Sequence, residues 1–153
     1  NVTVIGLGID KYRLEVARKI GADLTITQEE RPVEVIKRIT DGEGVDAVFE
    51  ASGSPDVYHP AINMLRKGGE IIGIGIHPRA GTIDFTDIVR REIKLKGIRL
   101  YTSTSWKRLI TLTSQGKIDM KPLITHKLPL DDFGEGFKAI KQKKAVKVVF
   151  LVS

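Results

Sequence analysis

The chain has no cysteine among its 153 residues. That excludes disulfide scaffolds, thiolate nucleophiles and any zinc site built with cysteine inside these residues. Aromatic residues are only 6% and there is a single tryptophan, so no aromatic ladder for stacking bases is available. No apolar run approaches the roughly 18 residues that a membrane span needs. No membrane partner is expected, and a reducing, cytoplasmic setting without a secretory leader fits the same absences. Histidines number three, His59, His77 and His126, and they stand too far apart to have metal-ligand spacing. A Walker loop, a Gly-x-Ser-x-Gly elbow and a recognisable acid pair are missing too.

What is present is an ordinary soluble balance, 41% hydrophobic and 29% charged, at a length that buries a real core. The charge is divided: residues 1–76 carry a net −3 and residues 77–153 a net +9. The basic side chains are scattered among apolar ones, and only Lys141, Lys143 and Lys144 cluster. That pattern solvates a face or attracts small anions, and nucleic acid is not the expected partner.

The first half alternates short β-type runs with helical patterns. Val2–Ile5 is a β-branched run, and Asp10 stands where it can cap a helix carrying Leu14, Ala17 and Ile20 up to Gly21. Leu24–Thr27 is a second strand, and Pro32 opens a helix with Val33, Ile36 and Ile39. Val45–Glu50 follows as a buried strand. A helix with Val57, Ala61, Met64 and Leu65 inward is expected to stop at Lys67-Gly68-Gly69, and Glu70–Ile76 to form the next strand. Further on, Ile83–Arg91 is helical and Glu92–Tyr101 a strand. Trp106, Leu109, Ile110 and Thr113 lie on a helix, and Pro122–Leu130 is extended. Asp131 or Asp132 caps a helix presenting Phe133, Phe137 and Ile140, and Val146–Val152 closes the chain as a strand. Strands separated by helices of about ten residues point to α/β architecture with a parallel sheet.

Three places carry functional content. Gly6-Leu7-Gly8 follows the first strand as a dinucleotide fingerprint would, but Lys11 stands at the third glycine position. Either this is the phosphate loop, or it is a glycine-rich turn elsewhere in a nucleotide-binding sheet. In the second case Val2–Ile5 is the second strand, and Gly6 stands where an acid normally receives the ribose hydroxyls. Arg13 then supplies a cation for a 2′-phosphate, while Asp10 keeps the plain ribose in play. The other two places are the strand ends Ala51-Ser52-Gly53 and Ile74-Gly75-Ile76, whose small residues let a flat ring approach the backbone. His77 follows the second of these and is a candidate for contact with a ligand there.

The string Gly44-Val45-Asp46-Ala47-Val48-Phe49-Glu50-Ala51-Ser52-Gly53-Ser54-Pro55 resembles the fourth-strand motif of the zinc-dependent medium-chain dehydrogenases. Leu65-Arg66-Lys67-Gly68-Gly69-Glu70-Ile71-Ile72-Gly73-Ile74-Gly75 is similar to the strand that follows it in that family. Tyr101-Thr102-Ser103 with Trp106, Ser114–Asp119, Pro122–His126 and Lys144–Val149 match in order. The flavour is that of the sorbitol and threonine dehydrogenases.

The resemblance implies a Rossmann-type doubly wound parallel sheet lacking its first βα unit. It also implies a C-terminal segment that would return to a GroES-like catalytic domain. Residues 1–99 would form the nucleotide-binding domain and 100–153 the returning segment. Ile74, Gly75 and Ile76 would line the nicotinamide, and the main chain of Ile98 and Leu100 would hold its carboxamide. Ala51, Ser52 and Gly53 would lie on the adenosine side, and Lys147 would meet the pyrophosphate. Gly6 and Arg13 would face the adenosine ribose, leaving NAD and NADP both open. Zinc would belong to the intact parent, with no ligand and no catalytic residue in this chain. The parent would act on a small-molecule alcohol or polyol as a homo-oligomer, a dimer or tetramer. The fragment alone would be inactive. A non-catalytic dinucleotide-binding module is the alternative.

Overall fold

The structure is a computed structural model, and it describes residues 1–152. The chain divides into two compact units, one of residues 1–30 with 101–153 and one of residues 31–100.

The second unit holds a parallel three-stranded sheet in the order β3-β4-β5, formed by Val45–Glu50, Leu65–Gly73 and Lys94–Gly97. Helices α2 (Pro32–Ile39), α3 (Tyr58–Met64) and α4 (Phe85–Arg90) connect and flank these strands. Ala61, Ile62, Leu65, Ile71, Ile88 and Ile93 form its buried core. Each large side chain removed from water there contributes roughly 1.5–3 kcal/mol against the entropy of ordering the chain. The strand β4 begins five residues before the expected Glu70. Leu65 is wholly buried and pairs with Val45, so the chain passes from α3 into β4 without a loop. Arg91 makes that switch possible. Its guanidinium donates to the carbonyls of Ile62 and Leu65, the groups a helix end leaves unpaired, and its own carbonyl accepts from the Gly68 amide. The next strand is shorter than the expected Glu92–Tyr101, because Glu92 adopts a left-handed φ of 55° and Leu100 one of 60°.

In the first unit, β1 (Thr3–Gly6) and β2 (Leu24–Thr27) pair in parallel, joined through helix α1 (Lys11–Lys19). Asp10 occupies the N-cap position of α1, but its carboxylate accepts from the Leu7 amide and pairs with Arg13 instead of capping the helix. A second parallel pair, β6 (Ile124–Pro129) and β7 (Lys147–Leu151), is joined through α6 (Phe133–Lys141). Pro122 lies in a short 3₁₀ turn, Lys121–Leu123, because a proline suits the first turn of a helix. In α6 the buried residue is Gly136, where a Cβ would come within 2.7 Å of the Phe150 ring. Phe133, Phe137 and Ile140 on the same helix are exposed, and α5 (Ser103–Ser114) buries no residue.

All paired strands run parallel, with helices in the connections, which is the α/β class the residue pattern predicts. Among the described residues no helix is long and apolar enough to cross a membrane.

Candidate functional site

Two turns leave the C-terminal ends of neighbouring parallel strands in the second unit and touch backbone to backbone. After β3 the chain runs Ala51-Ser52-Gly53; after β4 it runs Ile74-Gly75-Ile76. A Cβ built on Gly75 would lie 2.7 Å from both the Gly53 Cα and a Glu50 carboxylate oxygen, and nearer still to the Gly53 nitrogen. Gly53 adopts φ of +72° beneath the Ile76 carbonyl. Only hydrogen at Gly75 permits this approach, and at Gly53 the left-handed backbone favours glycine.

Glu50 organises the crossing. It is 3% exposed at the end of β3. One carboxylate oxygen accepts from the Ser52 amide at 2.7 Å, the Ser52 hydroxyl at 2.7 Å and the Gly53 amide at 2.9 Å. The other accepts from His77 Nε2 at 3.1 Å. Its main-chain carbonyl accepts from the Ile74 and Gly75 amides. Burial opposes the charge, but the hydrogen bonds from Ser52, His77 and Gly53 outweigh it and hold the carboxyl below its ordinary range. Tyr58 meets the His77 ring edge-on at 5.3 Å, and its phenol pKa is raised by burial and by the Glu50 charge.

Beside this crossing lies a cleft of about 330 Å³. Tyr58, Gly73, His77, Ile98 and Arg99 line it together with Ile74, Gly75 and Ile76. The structure thus brings five of the residues singled out from sequence, Ile74, Gly75, Ile76, His77 and Ile98, into one cleft. The Ile98 amide is spent on the Gly73 carbonyl. Ala51, Ser52 and Gly53 form the neighbouring turn. Leu100 lies just beyond the lining residues, 84% exposed with a left-handed φ of 60°. A leucine there is strained and gains nothing from burial. Leu100→Gly is expected to raise stability by about 0.5–1 kcal/mol in urea denaturation; a loss would show that the leucine side chain supports the turn.

Gly6, Arg13 and Lys147 belong to the first unit. Gly6 ends β1, and acids surround the turn after it. Asp10 accepts from the Leu7 amide at 3.2 Å, Glu29 from the Gly8 amide at 3.4 Å, and Glu30 from the Thr27 amide and hydroxyl. Arg13, the expected cation, donates to the Ala145 carbonyl at 3.0 Å and pairs with Asp10 at 3.3 Å. Lys147 opens β7 with an exposed side chain that makes no ion pair among the described residues.

Sequence reasoning missed Glu50 and Tyr58. The available signal was an acid at the end of an apolar run, followed by Ser-x-Gly, whose amides can turn back onto it. No local signal links Glu50 to His77, 27 residues away.

Comparison with known proteins bears on the same residues. Residues 1–115 match the family described as zinc-binding dehydrogenase. The chain is 38% identical over 149 residues to an L-threonine 3-dehydrogenase of Bacillus velezensis, covering 94% of this chain and 43% of that protein. It is 32% identical over 150 residues to a sorbitol dehydrogenase of Halalkalibacterium halodurans, covering 97% of this chain and 44% of that protein. Among solved structures, 2R,3R-butanediol dehydrogenase from Bacillus subtilis superimposes with a TM-score of 0.86 at 31% identity, over 99% of this chain and 43% of that one. The chain therefore spans less than half the length of these relatives.

Proposed function

From the premise that this chain belongs to the zinc-binding dehydrogenase family, we propose that it is the cofactor-binding part of an NAD(P)-dependent dehydrogenase of secondary alcohols or polyols. The observation that carries this reading is the cleft at the C-terminal ends of β4 and β5, where doubly wound sheets take their ligands. Its glycines bring backbone within reach of a flat ring, and its isoleucines keep water from the ring's face.

A bound nicotinamide supplies the hydride acceptor. The chain's own residues bind and orient it: Ile74 and Ile76 pack the ring, and the carbonyl of Ile98 remains available to the carboxamide. Ala51–Gly53 border the adenosine side. The chain lacks cysteine, and among the described residues no three His, Asp or Glu side chains could hold a metal ion together. Assembly into a homo-oligomer, through the segment Gly81–Lys96, belongs to the same proposal for the whole protein.

The first unit favours NAD. A 2′-phosphate at the end of β1 would meet Asp10 and Glu29, and Arg13 is already tied to Asp10 and Ala145. NADH is expected to bind at least about tenfold more tightly than NADPH, a difference of about 1.4 kcal/mol. Titration of the chain with each, read at its amide NMR signals, checks both points. Shifts at residues 73–77 and 97–99 support the cleft. Equal affinities would sink the preference, and no shift at millimolar NADH would sink the cofactor reading.

A further inference from the structure

We infer that His77 contacts the cofactor directly, with Glu50 as the positioning residue that fixes which of its nitrogens faces the ligand. This rests on the reading of the cleft as the nicotinamide site, and it adds a side chain to a surface otherwise built from backbone and isoleucine.

The imidazole lies where the two turns cross. Its Nε2 is 3.1 Å from a carboxylate oxygen of Glu50, a group that only accepts, so Nε2 carries the proton and donates. Nδ1 has no hydrogen-bond partner among the described residues. With the proton on Nε2 alone, Nδ1 is an acceptor. The side chain is 20% exposed, and His77 is one of the residues that line the cleft. Tyr58, set edge-on against the ring, prevents it from turning away. Glu50 is itself pinned by three donors from Ser52 and Gly53, so the carboxylate cannot follow a different histidine rotamer. The result is a lone pair held in place beside the glycine-floored surface.

A nicotinamide carboxamide has two N–H donors. The Ile98 carbonyl can take one of them; His77 Nδ1 is the acceptor for the second. The ligand feature recognised is thus the amide N–H, not the ring. A carbonyl substituent of the same shape without N–H would fit the cleft but lose this bond. The same arrangement explains why a histidine here needs a buried acid behind it. Without the carboxylate, the proton can sit on Nδ1, and the ring then offers a donor to a donor.

The test uses chain labelled with ¹⁵N-histidine, which reports the proton on each ring nitrogen. The free chain is expected to show His77 protonated at Nε2. NADH should move the His77 Nδ1 signal together with the amides of Ile74, Gly75 and Ile76. The reduced 3-acetylpyridine analogue, which has no amide N–H, should move the amides and leave Nδ1 in place. His77→Leu is expected to weaken NADH about threefold to tenfold, as a net hydrogen bond supplies, and to leave the analogue within about twofold. Glu50→Gln keeps the shape and should give a mixture of ring tautomers with a matching loss for NADH alone. Amide shifts at Ile74–Ile76 with Nδ1 unmoved by NADH would overturn this inference while leaving the cofactor reading intact. No amide shift there would overturn both. Equal weakening of NADH and the analogue in His77→Leu would reduce His77 to packing and overturn the inference.

Discussion

Replacing Glu50 with alanine is expected to cost the second unit about 3 kcal/mol. Four donors converge on the carboxylate: the Ser52 amide, the Ser52 hydroxyl, the Gly53 amide and His77 Nε2. Removing the acceptor leaves them facing a void at the one buried position of β3, a strand expected to be buried throughout but exposed at Asp46 and Phe49. A buried donor left unpaired costs about 1–3 kcal/mol, and the partly open Ser52 turn will recover some of that from water. Trp106 lies in the other unit, so the loss should be followed in urea at the amide signals of Ile62 and Ile71. A change below about 1 kcal/mol would mean that water replaces the carboxylate at little cost.

The effect also has a signature in pH. The folded-state pKa of Glu50 lies below its ordinary value. The stability it contributes is therefore fully present above the unfolded pKa and is lost as pH falls through the folded one. Glu50→Gln should lack that component, so wild type and variant should converge in stability as the solution becomes acid. Parallel curves would show that the carboxylate's charge is not what holds the turn.

Gly75→Ala is the second large expected effect. The new methyl would be driven against the Gly53 backbone and the Glu50 carboxylate, none of which is a flexible side-chain end. One turn must move away from the other, at about 2–3 kcal/mol, within the range of overpacking. Because Gly75 lines the cleft beside the crossing, NADH affinity should fall at least about tenfold as well. Gly97→Ala provides the contrast. It lines the same cleft, yet nothing lies within 4 Å of its would-be Cβ. Its stability should change by no more than about 0.5 kcal/mol. Similar losses at both positions would remove the special status of the Gly53–Gly75 approach.

Much of the fold was legible where local chemistry decides it. Leu24–Thr27 and Val45–Glu50 have the same bounds in sequence and structure, because each is an apolar or β-branched run set between polar and glycine-rich turns. The switch from α3 to β4 was not legible. Lys67-Gly68-Gly69 reads as a stop signal, yet the helix ends earlier, since Leu65 is drawn into the core and Arg91, 26 residues on, receives the freed carbonyls. The stripes on α5 and α6 show the opposite limit. Spacing correctly places Trp106, Ile110, Phe133 and Phe137 on helices, but it carries no information on whether anything covers them, and here they are exposed.

The site divides along the same line. The strand-end glycines announce themselves, because close backbone approach has one residue solution. Glu50 was passed over as the last residue of a strand, since its value lies in donors from two separate turns. Arg13 was read as a free cation from its charge alone, and its ties to Asp10 and Ala145 belong to tertiary structure.

The grip of Arg91 on the α3–β4 junction has a consequence for how this unit opens. Its side chain holds the end of one helix, and its carbonyl holds the Gly68 amide inside the following strand. The stretch from α3 to β5 therefore cannot fray piecemeal: releasing any one part breaks the ties of the others. Its slow-exchanging amides should form one cooperative block, released together in a single opening event. The turn Ile74–Ile76, which lines the cleft, leaves that block at Gly73, so this wall of the cleft is as long-lived as the strand it extends.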